Sequence, residues 1–357
     1  MKFDILSEYC FVNMGQSPAS ETYNNNADGL PFYQGNADFG EIHPQTRIWC
    51  SAPVKIANKG DLLISVRAPI GALNIATEQC CIGRGLAALT PKLDKCRIKY
   101  IYFAIQSQIN FLIANGTGST FKAVNKNTLE NLLIPVSSLN KQDEIVNIFE
   151  KLNNIINKRK EQLLLMDNAV KSRFIEMFGD VIHNSKKWQN CLFSEITSSR
   201  LGKMLDAKQQ TGRNSYPYLA NFNVQWFRFN LKNLNKMDFD EKDRSEFELC
   251  EGDLLVCEGG EIGRCAVWHN ELQPCFFQKA LHRVRCNRQI ILPDYLSWWF
   301  RYNCDYGGFA ALASSKATIA HLPGTKLKQL QVVVPPVELQ EQFVAFVKKT
   351  DKSKFDN

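Results

Sequence analysis

The chain states one segment twice. Residues 60–71 read GDLLISVRAPIG and residues 252–263 read GDLLVCEGGEIG, 192 residues apart. Each copy opens Gly-Asp-Leu-Leu, closes Ile-Gly and runs on into β-forming residues, ALNIATEQC after the first and RCAVWHNEL after the second. That spacing excludes a solenoid, whose units are about 20–50 residues long. It suits a duplicated domain. Further matches keep the same order: LSEYC at 6–10 with FSEIT at 193–197, and Gly15 with Gly202, both 187 apart. PFYQGN at 31–36 parallels PYLANF at 217–222, and LENLLIPVSSLNKQDEIV at 129–146 parallels LKQLQVVVPPVELQEQFV at 327–344, now 198 apart. The drift from 187 to 198 means that the second copy carries insertions.

Within each copy the middle reads as short strands: DLLISV, LNIAT and LAALT in the first, DLLVCE, RCAVW and LHRVRC in the second. A helical stretch follows, at 98–114 and at 293–303, and then a run of small polar residues, at 115–129 and 310–327. Between the copies lies a different element. From Asp143 to about Met177 apolar residues recur at steps of three and four with no Gly or Pro, which predicts one helix of about 30–35 residues with coiled-coil character. Gly179–Asp180 stops it. The fold class expected is α+β: two similar mixed domains in tandem, a long helix joining them, and a short C-terminal helix. The boundaries are 1–140 and 181–336 for the domains, 141–180 for the long helix and 337–357 for the short one, with 143–177 packing antiparallel against 338–354.

Composition narrows the class. Hydrophobic residues make up 45% and charged residues 22%, the balance of a folded globular chain. No apolar run approaches the roughly 18–20 residues that span a bilayer, and MKFDILSEYC has no signal-peptide core, so a cytoplasmic protein is expected. Twelve cysteines without Cys-x-x-Cys, and five scattered histidines, read as buried reduced thiols and no metal site. The net charge of +7 is compatible with a polyanionic partner.

The strand pair with Gly-Asp-Leu-Leu and Ile-Gly, the NGTGST loop, the exits LIPVSSLNKQDEIV and VPPVELQEQFV, and the closing KSRFIEMFGD at 171–180 together resemble the specificity subunit of a type I restriction–modification enzyme, over essentially the whole chain. The resemblance implies two target-recognition domains, each reading one half of a split double-stranded DNA sequence, with the helices as a ruler between them. It implies no chemistry in this chain. Modification subunits would use S-adenosylmethionine to methylate adenine, and restriction subunits would add an ATP-dependent nuclease. Two departures stand out. The first exit has Ser137–Ser138 where the second has Pro335–Pro336, and the second helix has too few residues to match the first along its length.

A reader of duplex DNA needs cations for phosphates and hydrogen-bonding side chains for base edges, carried on loops. The candidates in the first domain are Gln16, Ser17, Tyr33, Gln34, Arg67, Arg84, Thr117, Ser119 and Lys122. In the second they are Lys203, Tyr218, Asn221, Arg264, Lys279 and Lys316. GRGLAA at 83–88 imitates a dinucleotide-binding fingerprint, but Pro91 follows too soon for the helix that the phosphate site requires. No Asn/Asp-Pro-Pro-Tyr, Gly-x-x-x-x-Gly-Lys-Ser/Thr or His-Glu-x-x-His motif occurs. Two readings from other classes stay open on the residues alone: a standalone nuclease with dispersed carboxylates, and a protein-interaction scaffold built on the long helix.

Overall fold

The structure is a computed structural model that describes residues 2–117, 122–206, 210–310 and 321–355. The chain divides into two compact units, residues 1–159 and 160–357, and the long helix Leu139–Phe178 runs across that division instead of forming a segment of its own.

In the first unit the two ends of the domain are tied by strand Lys2–Ile5 pairing antiparallel with Leu133–Val136. The central sheet has four strands in the order Cys10–Met14, Leu86–Pro91, Leu62–Ser65, Leu73–Ile75. Leu62, Ile64 and Leu89 on one face of this sheet pack with Tyr100, Ile101, Ile105 and Leu112 from the following helices. Leu63, Leu86 and Ala88, on the opposite face by strand alternation, pack with Tyr33 and Ile82 of a second sheet, of five short strands. The expected single helix at 98–114 is two, Ile98–Gln106 and Ile109–Ala114. Between them the Ser107 hydroxyl donates to the Ala104 carbonyl at 2.7 Å, a local bond that competes with the helix ladder.

The second unit repeats the plan. Gln189–Leu192 pairs with Gln331–Val334, and the central order is Thr197–Leu201, Leu281–Cys286, Leu254–Cys257, Cys265–Val267. Tyr218 and Leu219 pair in parallel with Phe276 and Phe277, as Phe32 and Tyr33 do with Cys81 and Ile82. The insertions expected in the second copy are visible. Hairpin Val224–Gln225/Arg228–Phe229, strand Asn235–Asp238 and helix Glu241–Phe247 occupy the stretch where the first copy has only residues 39–55. Helix Pro293–Asp305 starts with proline in its first turn, where the missing N–H costs nothing. It buries Tyr295, Leu296, Trp299 and Phe300.

The long helix has 40 residues, about 60 Å at 1.5 Å per residue, and starts at Leu139 rather than Asp143. Gly179, at φ +73°, takes the left-handed conformation that closes it. In the second unit it joins the core through Phe174 and Phe178, whose rings both lie 5.4 Å from that of Phe343 on the closing helix Val337–Phe355. This is where the expected packing of the long helix on the closing helix is seen within the second unit; on the part of the helix that belongs to the first unit, Ile148, Leu152, Ile155 and Ile156 are exposed. The closing helix, with 19 residues, is too short to match a 40-residue partner.

None of the twelve cysteines forms a disulfide. Eight are buried as expected, but Cys191, Cys286 and Cys304 are partly exposed and Cys250 is exposed. Burial pushes the Cys80 and Cys275 thiols up to about 12, which keeps them protonated and inert.

Candidate nucleic-acid interface

Gly15 and Gly202 begin the same loop at the same place in each unit. A side chain on Gly15 would put its Cβ 2.2 Å from the Gly83 carbonyl oxygen, and one on Gly202 would lie 2.4 Å from the Gln278 carbonyl. Only glycine permits that approach of two backbones. The Gly15 N–H donates to the Leu86 carbonyl at 2.8 Å, and that of Gly202 to the Leu281 carbonyl at 3.0 Å.

In the first unit this approach gathers five loops at one end of the central sheet. The Gln16 N–H bonds the Ile82 carbonyl at 3.0 Å, the Arg84 N–H bonds the Ser17 hydroxyl at 3.3 Å, and the Gly83 N–H bonds the Tyr33 carbonyl at 2.8 Å. The Gln34 carbonyl oxygen lies 2.3 Å from where a Cβ on Gly85 would be. Val66 donates to the Gly85 carbonyl at 2.9 Å and accepts from the Val124 N–H at 2.8 Å, and Thr117 and Ala123 exchange backbone bonds. Gln16, Ser17, Gln34, Arg67, Arg84, Thr117 and Lys122 therefore come together, and all but the half-buried Ser17 are exposed. Tyr33 does not join them. It is 1% exposed, with its hydroxyl 2.7 Å from that of Thr46, so the strand alternation that exposes Gln34 turns Tyr33 into the core.

The second unit gathers the same loops but ties several candidates into internal bonds. Lys203 and Lys279 bond backbone to backbone at 2.8 Å. The Lys203 ammonium, however, donates to the Asp238 carbonyl at 2.7 Å, pairs with Asp243, and lies 5.1 Å above the Phe239 ring. These contacts hold it against its own domain. Arg264 donates to Asn221 Oδ1 at 2.7 Å and to the Asn221 carbonyl at 3.1 Å, while Asn221 Nδ2 donates to the Gly259 carbonyl at 2.8 Å. Two expected readers thus brace each other. Tyr218 is buried too, in a core cluster with Phe276 and Phe277. Lys279 is exposed. Ser119 and Lys316 lie outside the described residues.

Two features escaped the sequence reading. The PFYQGN and PYLANF segments do not match one to one: Tyr33 corresponds to Leu219 by strand pairing, and Gly35 to Ala220 by the turn that follows. Gln34 is therefore an extra residue of the first copy. The other is Glu261, whose carboxylate accepts from Trp226 Nε1 at 2.6 Å and from Arg264 Nη1 at 3.4 Å. The GGE of the repeated segment was its one signal in sequence, since the first copy has Ala-Pro there.

Among the described residues no three His, Cys, Asp or Glu side chains are grouped to hold a metal ion, and no helix is long and apolar enough to cross a membrane. At residues 83–88 a strand follows the glycines, Leu86–Pro91, so no helix N-terminus faces them.

Residues 5–165 match the family model described as the type I restriction modification DNA specificity domain. A putative type I restriction enzyme MjaX specificity subunit from Methanocaldococcus jannaschii is 40% identical over 159 residues, 43% of this chain and 37% of that protein. The type I restriction enzyme MjaIX specificity subunit from the same organism is 27% identical over 129 residues, 36% of this chain and 30% of that protein. The matches thus span well under half of these relatives' length. The crystal structure of a type I restriction–modification system S subunit from M. genitalium superposes with a TM-score of 0.60 at 14% identity, covering 99% of this chain and 90% of that one, which establishes the shared fold. Residues 5–165 are thus similar to the DNA specificity domain of type I restriction–modification enzymes, and the second unit repeats the strand order of that domain's central sheet.

Proposed function

We propose that this chain is the DNA-reading subunit of a type I restriction–modification complex, with each half reading one part of a bipartite duplex target. The observation that carries this reading is the repeated loop cluster. Two domains with one strand order each bring loops of matched position to one end of the central sheet, and the loops differ in side chains. Domains duplicated in scaffold and diverged in loops suit a target whose two halves differ. Exposed Arg67, Arg84 and Lys122 in the first unit and Lys279 in the second supply cations for phosphate or guanine contacts. Gln16, Ser17, Gln34 and Thr117 supply neutral hydrogen-bonding groups for base edges.

On this reading the chain does no chemistry and binds no cofactor. S-adenosylmethionine and ATP act on modification and restriction subunits, which this chain positions, in the cytoplasm. The exposed apolar stretch Ile148 to Ile156 on the long helix is available to such protein partners.

The test is a methylation map. The chain is expressed with its genomically adjacent modification subunit in a host without adenine methylation, and modified adenines are sequenced. The expected result is one split motif with a fixed spacer. Magnesium-dependent cleavage by the chain alone would instead favour a nuclease, and loss of all DNA retention at low salt would favour a scaffold.

A further inference from the structure

The loop between the paired strands is the same loop in both halves, closed by the same backbone bonds. The Ser65 N–H donates to the Ala72 carbonyl and that of Gly71 to the Ser65 carbonyl, each at 2.9 Å. The Cys257 N–H donates to the Arg264 carbonyl at 2.8 Å and that of Gly263 to the Cys257 carbonyl at 3.4 Å. The turn beyond also matches: Arg67 bridges to Ala123, and Gly259 to His321. The correspondence is therefore residue by residue. Gly259 stands for Arg67, Glu261 for Pro69 and Arg264 for Ala72.

Charge is reversed across that correspondence. The first loop exposes the cation of Arg67, whereas the second exposes the carboxylate of Glu261. Glu261 is also fixed in place. Trp226 and Arg264 each hold one of its oxygens, and Arg264 is itself held by Asn221. The indole of Trp226 is steadied in turn by the Arg301 guanidinium, 4.9 Å above it. Each carboxylate oxygen keeps a free lone pair.

A carboxylate on a surface that faces phosphates is repelled, unless a hydrogen-bond donor of the DNA meets it. In the major groove cytosine presents the N4 amino donor with no acceptor of its own beside it, while adenine sets an N7 acceptor next to its amino group. A carboxylate accepts only, so one of its oxygens can take the N4–H that pairing leaves free on cytosine, with no acceptor of that base beside it. We propose that Glu261 reads the amino group of a cytosine in the half-site of the second unit, with Arg264 and Trp226 as positioning residues. This rests on the DNA-reading function proposed above.

The experiment uses the full chain in complex with its modification subunit. Methylation maps are made for the parent and for Glu261→Ala, and binding is measured to duplexes in which each cytosine of the second half-site is replaced in turn by 2-pyrimidinone, which lacks the amino group. One such replacement is expected to weaken binding by the parent about tenfold, the discrimination of one good base contact. The same replacement should leave Glu261→Ala, which has no acceptor there, unaffected. In the methylation map that variant should relax one position of one half-site and leave the other half and the spacer as they were. If no single amino deletion weakens the parent, or if parent and variant lose equally, the assignment to Glu261 is overturned even if the variant folds poorly. A parent that yields no split motif at all overturns the DNA-reading function instead.

Discussion

Gln142 and Gln340 hold the same position in the two halves and make the same three hydrogen bonds. Gln142 Oε1 accepts from the Arg97 N–H at 2.9 Å, and its Nε2 donates to the Lys95 and Ser137 carbonyls at 3.0 and 2.9 Å. Gln340 Oε1 accepts from the Leu292 N–H at 2.8 Å, and its Nε2 donates to the Ile290 and Pro335 carbonyls at 3.0 and 2.8 Å. Each buried amide joins the first turn of an exit helix to the start of the helix that precedes the polar loop. Replacing Gln340 by Leu strands one N–H and two carbonyls and should cost about 2–3 kcal/mol. Denaturant unfolding followed by tryptophan fluorescence checks this, because five of the six tryptophans lie in the second unit.

Gly15→Ala and Gly202→Ala each press a methyl group against a carbonyl that cannot move without its strand. Both should destabilise by about 1–3 kcal/mol or more, as overpacking does, and both should shift the loops that carry the candidate readers. Gly60→Ala makes a contrast, since nothing lies within 4 Å of its Cβ position and its cost comes from a φ of +89° alone. Thermal unfolding of the three variants ranks them.

Arg84→Ala and Lys279→Ala should each reduce the slope of log affinity against log salt by about one, if each cation neutralises one phosphate. Tyr33→Phe should leave that slope unchanged and cost about 1 kcal/mol in stability, through the lost bond to Thr46. Fluorescence anisotropy on a labelled duplex at several salt concentrations separates the two kinds of residue.

His282 is buried in the central sheet, and its Nε2 donates to the Leu322 carbonyl at 3.0 Å. Burial pulls its pKa below the usual histidine value, with that hydrogen bond opposing. The folded state therefore binds its proton less readily than the unfolded chain does. The stability this provides is complete above the unfolded pKa of about 6.5 and is lost as pH falls through the folded pKa. Unfolding free energy should fall between pH 7.5 and lower pH, and less steeply in His282→Gln. Urea titrations at a series of pH values measure the difference.

Phe174 and Ile155 lie on one helix with 1% and 64% of their surface exposed. Phe174→Ala should cost about 3–5 kcal/mol, because its ring contacts Phe178, Tyr295 and Phe343. Ile155→Ser should change stability by less than about 0.5 kcal/mol. If Ile155 belongs to a subunit interface, the same change should weaken co-purification with the modification subunit.

Much of the fold was legible from repeated strings. Gly-Asp-Leu-Leu marks the same turn-and-strand in both halves, because glycine at φ +89° and +88° is needed there and the apolar residues that follow are buried between two layers. The helix periodicity between Asp143 and Met177 fixed an uninterrupted helix, and its ends came within four residues. The loop cluster was less legible. Sequence can place Tyr33, Lys203 and Arg264 near turns, but not say that the first is core, the second an ion-pair partner and the third a brace for Asn221.

Three things can be read along the chain: one domain is built twice, a long helix lies between the copies, and certain residues fall on the loops at the strand ends. These follow from local rules: period, turn chemistry and repetition. Which loop side chains remain free is set by long-range contacts. That depends on residues far apart in sequence, such as Lys203 meeting Asp243, or Glu261 meeting Trp226. A side chain's availability is settled by the partners that the fold brings to it, and no local pattern carries that information.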